Sequence, residues 1–281
     1  MCKRFLFVVL LLIFTDGTQA AEEKRASYDV KLTYKAYWAG FVISKVNSVT
    51  HISPSEYKMD VAYEITGLAT LFSNMKNEVS ARGEIGPDSR LRPLFYHNTG
   101  SWGKEGYDIQ TKFNPGDGKV ITHDYSFKFK KEFNYIPIRD DLKFGPDMVS
   151  YYLGMTLDDQ AMKISSEMTH QNVFGGFFLL DIGHRCTGDK IFKSRRSIYK
   201  GPVRICEFKD EIIGGNFESV KKKKKRKKKK RSDLEPVPMQ IWYAKLDELK
   251  ALNPWVPVYS EFAIDWGKVH VYLSKIEVIK K

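Results

Sequence analysis

The sequence predicts a mostly β protein: a single large antiparallel meander sheet, strongly curved or barrel-like (spiral), with one or two short helices. Three observations predict it. Apolar and polar residues alternate with a period of two along most of the chain, short Gly, Asn, Asp and Pro clusters separate the alternating runs, and helical spacing is scarce. The chain also has 15 Tyr, 18 Phe and 5 Trp, enough large side chains to fill an extended curved sheet.

The first twenty residues have the layout of a secretory signal peptide. Lys3 and Arg4 precede an apolar run over 5–14, and Thr18 and Ala20 occupy the −3 and −1 positions of a small-residue cleavage site. Such a run is too short to span about 30 Å of hydrocarbon as a helix. We therefore expect cleavage after residue 20 and a soluble product exported from the cytoplasm. An uncleaved N-terminal anchor is the alternative.

Four runs show the strand period most clearly. They cover residues 28–38, 57–65, 125–129 and 269–273. Alternation of this kind is typical of antiparallel strands that bury one face and expose the other. Turn sequences such as Asn-Pro-Gly-Asp-Gly over 114–118 separate the runs, so about ten to fourteen strands are expected, with hairpin neighbours in sequence order.

One helix is predicted after Gly145-Pro146. Asp147 stands at its start, and the apolar residues of 148–155 fall at helical spacing before the polar pair Asp158-Asp159. A second stretch, 244–252, is predicted to form one or two helical turns. Helices therefore play a minor part in the expected fold.

An unbroken run of eleven basic residues, Lys221–Arg231, carries most of the formal net charge of +12. The first twenty residues add +1, so the rest of the chain is neutral. Like charges repel and the run has no apolar residue to bury, so residues 219–235 are expected to be a disordered lysine-rich loop inserted in one β domain spanning 21–281. Either the loop is a tolerated low-complexity insertion, or it attracts an anionic membrane surface. Because export removes the chain from nucleic acid, no nucleic-acid partner is expected.

Cys186 and Cys206 are the two cysteines of the mature chain, because Cys2 lies in the signal peptide. An even number in an oxidising compartment favours a disulfide, and the segment between them is typical of a strand, a turn around Gly188 and a returning strand. The bridge would close a loop of about 20 residues, which contributes roughly 3 kcal/mol. Two free buried thiols are the alternative. Neither cysteine has companions at metal-ligand spacing.

Catalytic motifs are absent from the sequence. It contains no Gly-x-Ser-x-Gly elbow, no His-Glu-x-x-His, no phosphate-binding glycine loop and no dinucleotide fingerprint. The six histidines are scattered, and the Asp140-Asp141 and Asp158-Asp159 pairs would need oxygens from another strand to hold a cation. We therefore assign no catalytic residue, no metal ligand and no cofactor, and expect a non-enzymatic protein.

Short motifs are spread over nearly all of residues 27–278. They include Trp38-Ala39-Gly40, Arg92-Pro93-Leu94, Gly201-Pro202-Val203-Arg204-Ile205-Cys206, Ile212-Ile213-Gly214-Gly215, Gln240-Ile241-Trp242-Tyr243 and Trp255-Val256-Pro257-Val258-Tyr259. Together they resemble the bacterial exported family catalogued as domain of unknown function 3108. The resemblance implies a periplasmic, β-rich protein whose curved sheet is similar to those of lipoprotein-carrier and envelope-integrity proteins. The basic run departs from the family pattern and is therefore interpreted as an insertion.

A long meander that curls on itself encloses a concave interior, which in wide β structures holds apolar ligands unless side chains fill it. The sequence thus favours a periplasmic cell-envelope protein that binds a lipid, another hydrophobic ligand or an envelope partner. A structural or interaction module with a packed interior is the alternative, and a hydrolase built from scattered Ser, His and Asp is the third. Tyr34, Trp38, Phe95 and Trp242 are predicted to face inward, mainly as core. No ligand-binding residue is assigned.

Overall fold

Fifteen strands and one α-helix are found in the computed structural model, which describes residues 27–71, 74–103, 105–127, 133–219, 238–249, 252, 254–264 and 267–281. The strands are β1 (Tyr28–Trp38), β2 (Phe41–Ile52), β3 (Glu56–Ile65), β4 (Met75–Ile85), β5 (Leu91–Trp102), β6 (Glu105–Phe113), β7 (Val120–Phe127), β8 (Phe133–Ile136), β9 (Thr169–Phe174), β10 (Leu179–Phe192), β11 (Gly201–Gly214), β12 (Asn216–Ser219), β13 (Met239–Lys245), β14 (Trp255–Ile264) and β15 (Gly267–Lys280). The helix is α1 (Met148–Leu157), and short 3-10 turns cover Gly67–Leu71, Asp140–Leu142 and Asp247–Leu249. The signal peptide over 1–20 and the loop residues 220–235 lie outside the described ranges and stay predictions.

Thirteen strands form one antiparallel sheet in the order β7-β6-β5-β4-β3-β2-β1-β15-β14-β13-β11-β10-β9. Neighbours follow sequence order except at two places. β1 pairs with β15, and β13 pairs with β11 because β12 leaves the sheet to pair with β8 in a two-stranded ribbon. The prediction of a mostly β protein with one large curved antiparallel sheet is confirmed, although the sheet is not closed. The ribbon brings the described strands to fifteen, one more than the predicted range.

The alternating runs of the sequence lie on strands. Residues 28–38 coincide with β1, 57–65 fall within β3, and 269–273 fall within β15. Residues 125–127 of the remaining run fall within β7, and its residues 128 and 129 lie outside the described residues. The turn at 114–118 joins β6 to β7, and the amide of Gly118 donates to the carbonyl of Asn114 at 2.8 Å. Gly118 has a φ of 71°, a conformation that glycine adopts without steric cost.

Helix α1 begins where the sequence predicts, because Asp147 caps it. The Asp147 carboxylate accepts hydrogen bonds from the amide (2.9 Å) and the hydroxyl (2.5 Å) of Ser150. The hydroxyl of Tyr57 on β3 lies 2.6 Å from that of Ser150. All three side chains are buried, so this chain of hydrogen bonds fastens the start of α1 to the sheet.

The second predicted helical stretch, 244–252, is only partly right. β13 continues to Lys245, since Ala244 pairs with Val256 on β14. Among the described residues of this stretch, Asp247–Leu249 form a 3-10 turn. Strand pairing therefore overrides the local helical preference at the start of this stretch.

Residues 143–147, which we call the seam segment, bridge the two edge strands of the sheet. On one side the amide of Val120 donates to the carbonyl of Lys143 at 3.0 Å, and on the other the amide of Phe174 donates to the carbonyl of Pro146 at 2.8 Å. Gly145 has a φ of 106°, and a Cβ there would lie 2.5 Å from a carbonyl oxygen of β9. The close approach of the seam segment to β9 therefore requires glycine at this position.

The described buried side chains form three clusters. One joins β1, β14 and β15 and includes Val258 and Leu273. A second lies around α1 and the strands β10, β11 and β13. The third lies where β4, β5 and β6 meet β9 and β10, and includes Ala81, Phe174 and Leu179. The helix thus packs inside the curved sheet, between its two halves.

Cys186 on β10 and Cys206 on β11 lie opposite each other and form a disulfide. The prediction of a bridge is confirmed, and the alternative of two free thiols does not hold. Both cysteines are fully buried, and the sulfur of Met162 lies 4.0 Å and 3.9 Å from their sulfurs. The bridge therefore belongs to the core beneath α1.

Replacing both cysteines by serine should lower the melting temperature by several degrees. The disulfide closes a 20-residue separation, which in the chain-entropy model contributes roughly 3 kcal/mol through the unfolded state. Thermal unfolding followed by circular dichroism checks this, with the reduced wild-type protein as a matched control. Two titratable thiols in the native, oxidised protein would contradict the disulfide itself.

Replacing Asp147 by Asn should flatten the pH dependence of stability. Burial raises the pKa of the Asp147 carboxyl from 3.8 to about 6. Because the folded state holds this proton more tightly than the unfolded chain, the penalty for the ionised carboxylate is full above pH 6 and is relieved as pH falls toward 3.8. Between these limits the wild type should gain up to about 3 kcal/mol relative to the variant.

Urea unfolding of both proteins from about pH 4 to pH 7.5 measures this difference. Asp141→Asn serves as the matched control, because that carboxylate is exposed and pairs with Arg139. Parallel stability curves for the wild type and Asp147→Asn would show that the buried carboxyl does not titrate in this window.

Candidate functional site

One face of strands β2 to β7 points toward α1. We call this face the inner wall. Its orientation is fixed by Tyr57, which reaches α1, and by Ile109 on β6, which packs on Gly176 in the turn between β9 and β10. The strand register then places these residues on the same face: Val46, Ser48, Thr50, Met59, Val61, Tyr63, Asn77, Val79, Ala81, Tyr96, Asn98, Tyr107 and Thr111.

The inner wall is filled in one part and open in another. Where α1 and the turn after β9 pack on it, Tyr57, Tyr96 and Ile109 are at most 3% exposed. On β2, β3 and β4 the inward-facing Val46, Val61 and Val79 are only half-buried. Ser48, Thr50 and Asn77 on the same face are buried, so the wall is covered unevenly and the three valines keep part of their surface accessible.

Four polar side chains cross the inner wall in a hydrogen-bonded series that we call the amide–phenol row. The Asn77 amide on β4 donates to the carbonyl oxygen of the Asn98 side chain at 2.6 Å and also to the hydroxyl of Tyr107. The Asn98 amide donates to the hydroxyl of Tyr96 at 3.1 Å. Asn77 and Tyr96 are both 3% exposed, so the row satisfies amide groups that burial alone would penalise.

The row still has hydrogen-bonding capacity. A phenol both donates and accepts, and an amide oxygen accepts two hydrogen bonds. The Tyr96 hydroxyl accepts from Asn98, and its own hydrogen has no acceptor among the described residues. Within the same residues the Asn77 side-chain oxygen has no donor. The row therefore retains one donor and one acceptor, on two side chains that are each 3% exposed.

The phenols of the inner wall are neutral. Burial raises the pKa of Tyr63 to about 12 and also raises the pKa of Tyr96 and Tyr107. The nearby Asp147 carboxylate adds to the shift for Tyr96. These side chains therefore act as hydrogen-bond donors across the physiological range.

The two faces of β2 to β7 differ sharply in charge. The outer face of β3 and β4 carries exposed ion pairs such as Lys58–Asp60 and Lys76–Glu78. The inner-wall residues named above are all uncharged. Burial lowers the pKa of His123 on β7 to about 4, so it is neutral as well. Glu105 shares the inward register, at the far end of β6 opposite residue 102.

Aromatic rings cover one end of the inner wall. The rim cluster consists of Tyr107, Tyr125, Phe127, Tyr135, Phe177 and Phe217, from β6, β7, the β8–β12 ribbon and the β9–β10 turn. Ring centroids lie 5.0 Å apart for Tyr135 and Phe217 and 5.6 Å apart for Phe127 and Phe177. The Tyr135 hydroxyl donates to the carbonyl of Phe177 at 2.9 Å. The cluster thus ties the ribbon to edge strand β7.

Each of the six histidines, all among the described residues, contacts a carboxylate or a hydroxyl group. Four pair with carboxylates: His51 with Asp29, His97 with Asp108, His170 with Asp181, and His270 with Glu261. His123 contacts the Thr111 hydroxyl, and His184 contacts the Tyr151 hydroxyl. No described histidine hydrogen-bonds to a serine or cysteine side chain, the contact that a serine or cysteine nucleophile requires.

The paired carboxylates are compensated by basic side chains. Asp140 and Asp141 lie 2.7 Å from Lys143 and Arg139, respectively. They line a half-open cleft of about 640 Å³ beside the seam segment and the start of β7. Asp159 accepts hydrogen bonds from Lys245 at 2.9 Å and from the Trp255 indole at 2.7 Å. Among the described residues no three His, Cys, Asp or Glu side chains come together as metal ligands.

Phe95 does not face inward, so that prediction is wrong. A register break beside Arg82 and Gly83 shifts the alternation of β5, and the Arg82 guanidinium lies 4.9 Å from the centre of the Phe95 ring on the outer face. Tyr96 takes the inward position instead. The sequence held one usable signal for the row: Asn77 and Asn98 stand inside strands, where asparagine is depleted.

Comparisons with known proteins identify no family. No family model matches the chain, so membership of domain of unknown function 3108 is not confirmed, and no curated protein matches it. A solved structure that it resembles is the β-barrel-like protein of domain of unknown function DUF1849 from Brucella abortus. The two share 7% sequence identity with a TM-score of 0.44, over 91% of this chain and 98% of that chain. At that TM-score the likeness carries no functional information. Within the described residues, no helix has the length and apolar character needed to cross a membrane.

Proposed function

We propose that the protein is a non-catalytic binding module of the cell envelope that holds a lipid-like ligand against its inner wall. The observation that carries the proposal is the partial exposure of Val46, Val61 and Val79 on an inward-facing surface. A concave, largely preformed apolar surface with a few convergent polar groups is the usual form of a small-molecule site. The amide–phenol row supplies the polar groups.

The proposed location outside the cytoplasm rests on two features. The sequence begins with the layout of a signal peptide, and the Cys186–Cys206 disulfide is compatible with an oxidising compartment. The basic run remains a candidate contact to an anionic surface of the envelope, since each lysine near such a surface contributes about 1 kcal/mol. A module with a packed interior that contacts another envelope protein remains the alternative, and the experiments below separate the two.

Purified protein should bind a neutral hydrophobic dye such as Nile red with saturable, micromolar affinity. Burying an alkyl chain contributes about 0.8 kcal/mol per methylene, and micromolar affinity requires roughly 8 kcal/mol. Because the inner-wall residues are uncharged, about 0.5 M salt should leave the affinity unchanged. Fluorescence titration and native mass spectrometry for co-purifying lipid measure both properties.

Val61→Trp tests the location of the site. The larger side chain fills the open part of the inner wall and should weaken dye binding at least about tenfold. Val49→Trp is the matched control, because Val49 lies on the outer face of β2 with 39% of its surface exposed. Equal loss in both variants, or binding that salt abolishes, contradicts this site. No uptake and no extractable lipid would favour the packed interaction module.

A further inference from the structure

The polar half of the inner wall limits what kind of head group it accepts. The half-buried valines lie on β2, β3 and β4, whereas the amide–phenol row runs across β4, β5 and β6. An amphiphile lying across the wall would place its chain on the first part and its head on the second. The groups of the row then determine whether a charged or an uncharged head group binds more tightly.

An anionic head would find no compensating charge there. Taking a carboxylate out of water costs several kcal/mol unless a cation or several donors receive it. The described inner-wall residues include no lysine or arginine, and the Lys143 ammonium group near His123 is already paired with Asp140. Two carboxylates lie beside the wall, that of Asp147 near Tyr96 and that of Glu105 at the end of β6. Both repel a second negative charge.

An uncharged head with hydroxyl or amide groups fits the row. Asn77 retains an acceptor oxygen and Tyr96 a donor hydrogen that no described residue satisfies. A head with more than one hydroxyl or amide group can pair with both, because each hydroxyl both donates and accepts. A buried polar group that stays unpaired is costly, so a ligand that pairs it gains selectivity over one that does not.

We propose that the inner wall selects an uncharged amphiphile, an acyl chain carrying a hydroxyl- or amide-bearing head, over a fatty acid of the same chain length. This inference rests on the proposed binding function. The amide–phenol row recognises the head by hydrogen bonds, and the half-buried valines contact the chain. Ionic strength has little influence on the choice, because neither partner contributes a charge.

Monodecanoyl glycerol and decanoic acid, each below its critical micelle concentration, form the matched pair. At about pH 7.5 the acid is ionised, and the full-length mature protein should bind the glyceride about tenfold more tightly or better. Isothermal titration calorimetry measures both affinities. Equal affinities, or tighter binding of the ionised acid, would overturn the inference while leaving the binding function intact. Binding of neither ligand and of no Nile red would overturn the proposed function itself.

Asn98→Leu locates the selectivity in the row. Loss of its amide should weaken glyceride binding about tenfold while Nile red affinity stays within about twofold, since the dye needs no partner in the row. Asn47→Leu on the outer face of β2 is the matched control and should leave both affinities unchanged. Tyr96→Phe, which removes only a hydroxyl, gives the same test with a smaller change if Asn98→Leu does not fold. Unchanged glyceride affinity in folded Asn98→Leu or Tyr96→Phe contradicts the role of the row.

Discussion

The pairing of β1 with β15 is the contact on which the rest of the sheet depends. It runs from Tyr28 opposite Lys280 to Trp38 opposite Val269, and an ion pair between Lys31 and Glu277 spans it, 246 positions apart in sequence. Nearly all other neighbours in the large sheet are adjacent in sequence and form as local hairpins. The β1–β15 pair therefore joins two meanders whose facing edges would otherwise stay unpaired. Because it closes the longest loop among the strand pairs, it has the largest loop-closure entropy cost.

A sheet of thirteen strands must curl, and its two edges then approach each other without pairing directly. The seam segment bridges β7 and β9, and Asp147 at its end starts the helix that enters the interior. One short stretch thus limits both how far the sheet closes and where α1 lies. Because α1 reaches Tyr57 and the turn after β9 covers Ile109, the partly exposed positions of the inner wall lie elsewhere, at Val46, Val61 and Val79 on β2 to β4.

The sequence predicted the elements whose causes are local. Period-two alternation located β1, β3 and β15, the Asp147 cap located α1, and cysteine count with turn spacing located the bridge. It did not predict features that depend on distant partners. The β1–β15 join needs both chain ends, the ribbon of β8 and β12 has strands too short to show a period, and the bulge on β5 reverses which of Phe95 and Tyr96 faces inward. The amide–phenol row was missed because three strands assemble it.

An uncharged polar row avoids two difficulties of a ligand site in a protein interior, collapse of the empty space and desolvation of buried charges. Fully apolar walls would favour collapse of the concave space onto α1. Buried charges in an empty site would lose more free energy through desolvation than they gain from their interactions. Amides and phenols that satisfy one another hold their positions without a ligand. They still leave one acceptor on Asn77 and one donor on Tyr96. In the proposed binding function, the wall thus keeps its shape without a ligand, and its selectivity depends on the number of hydrogen bonds a head group can make.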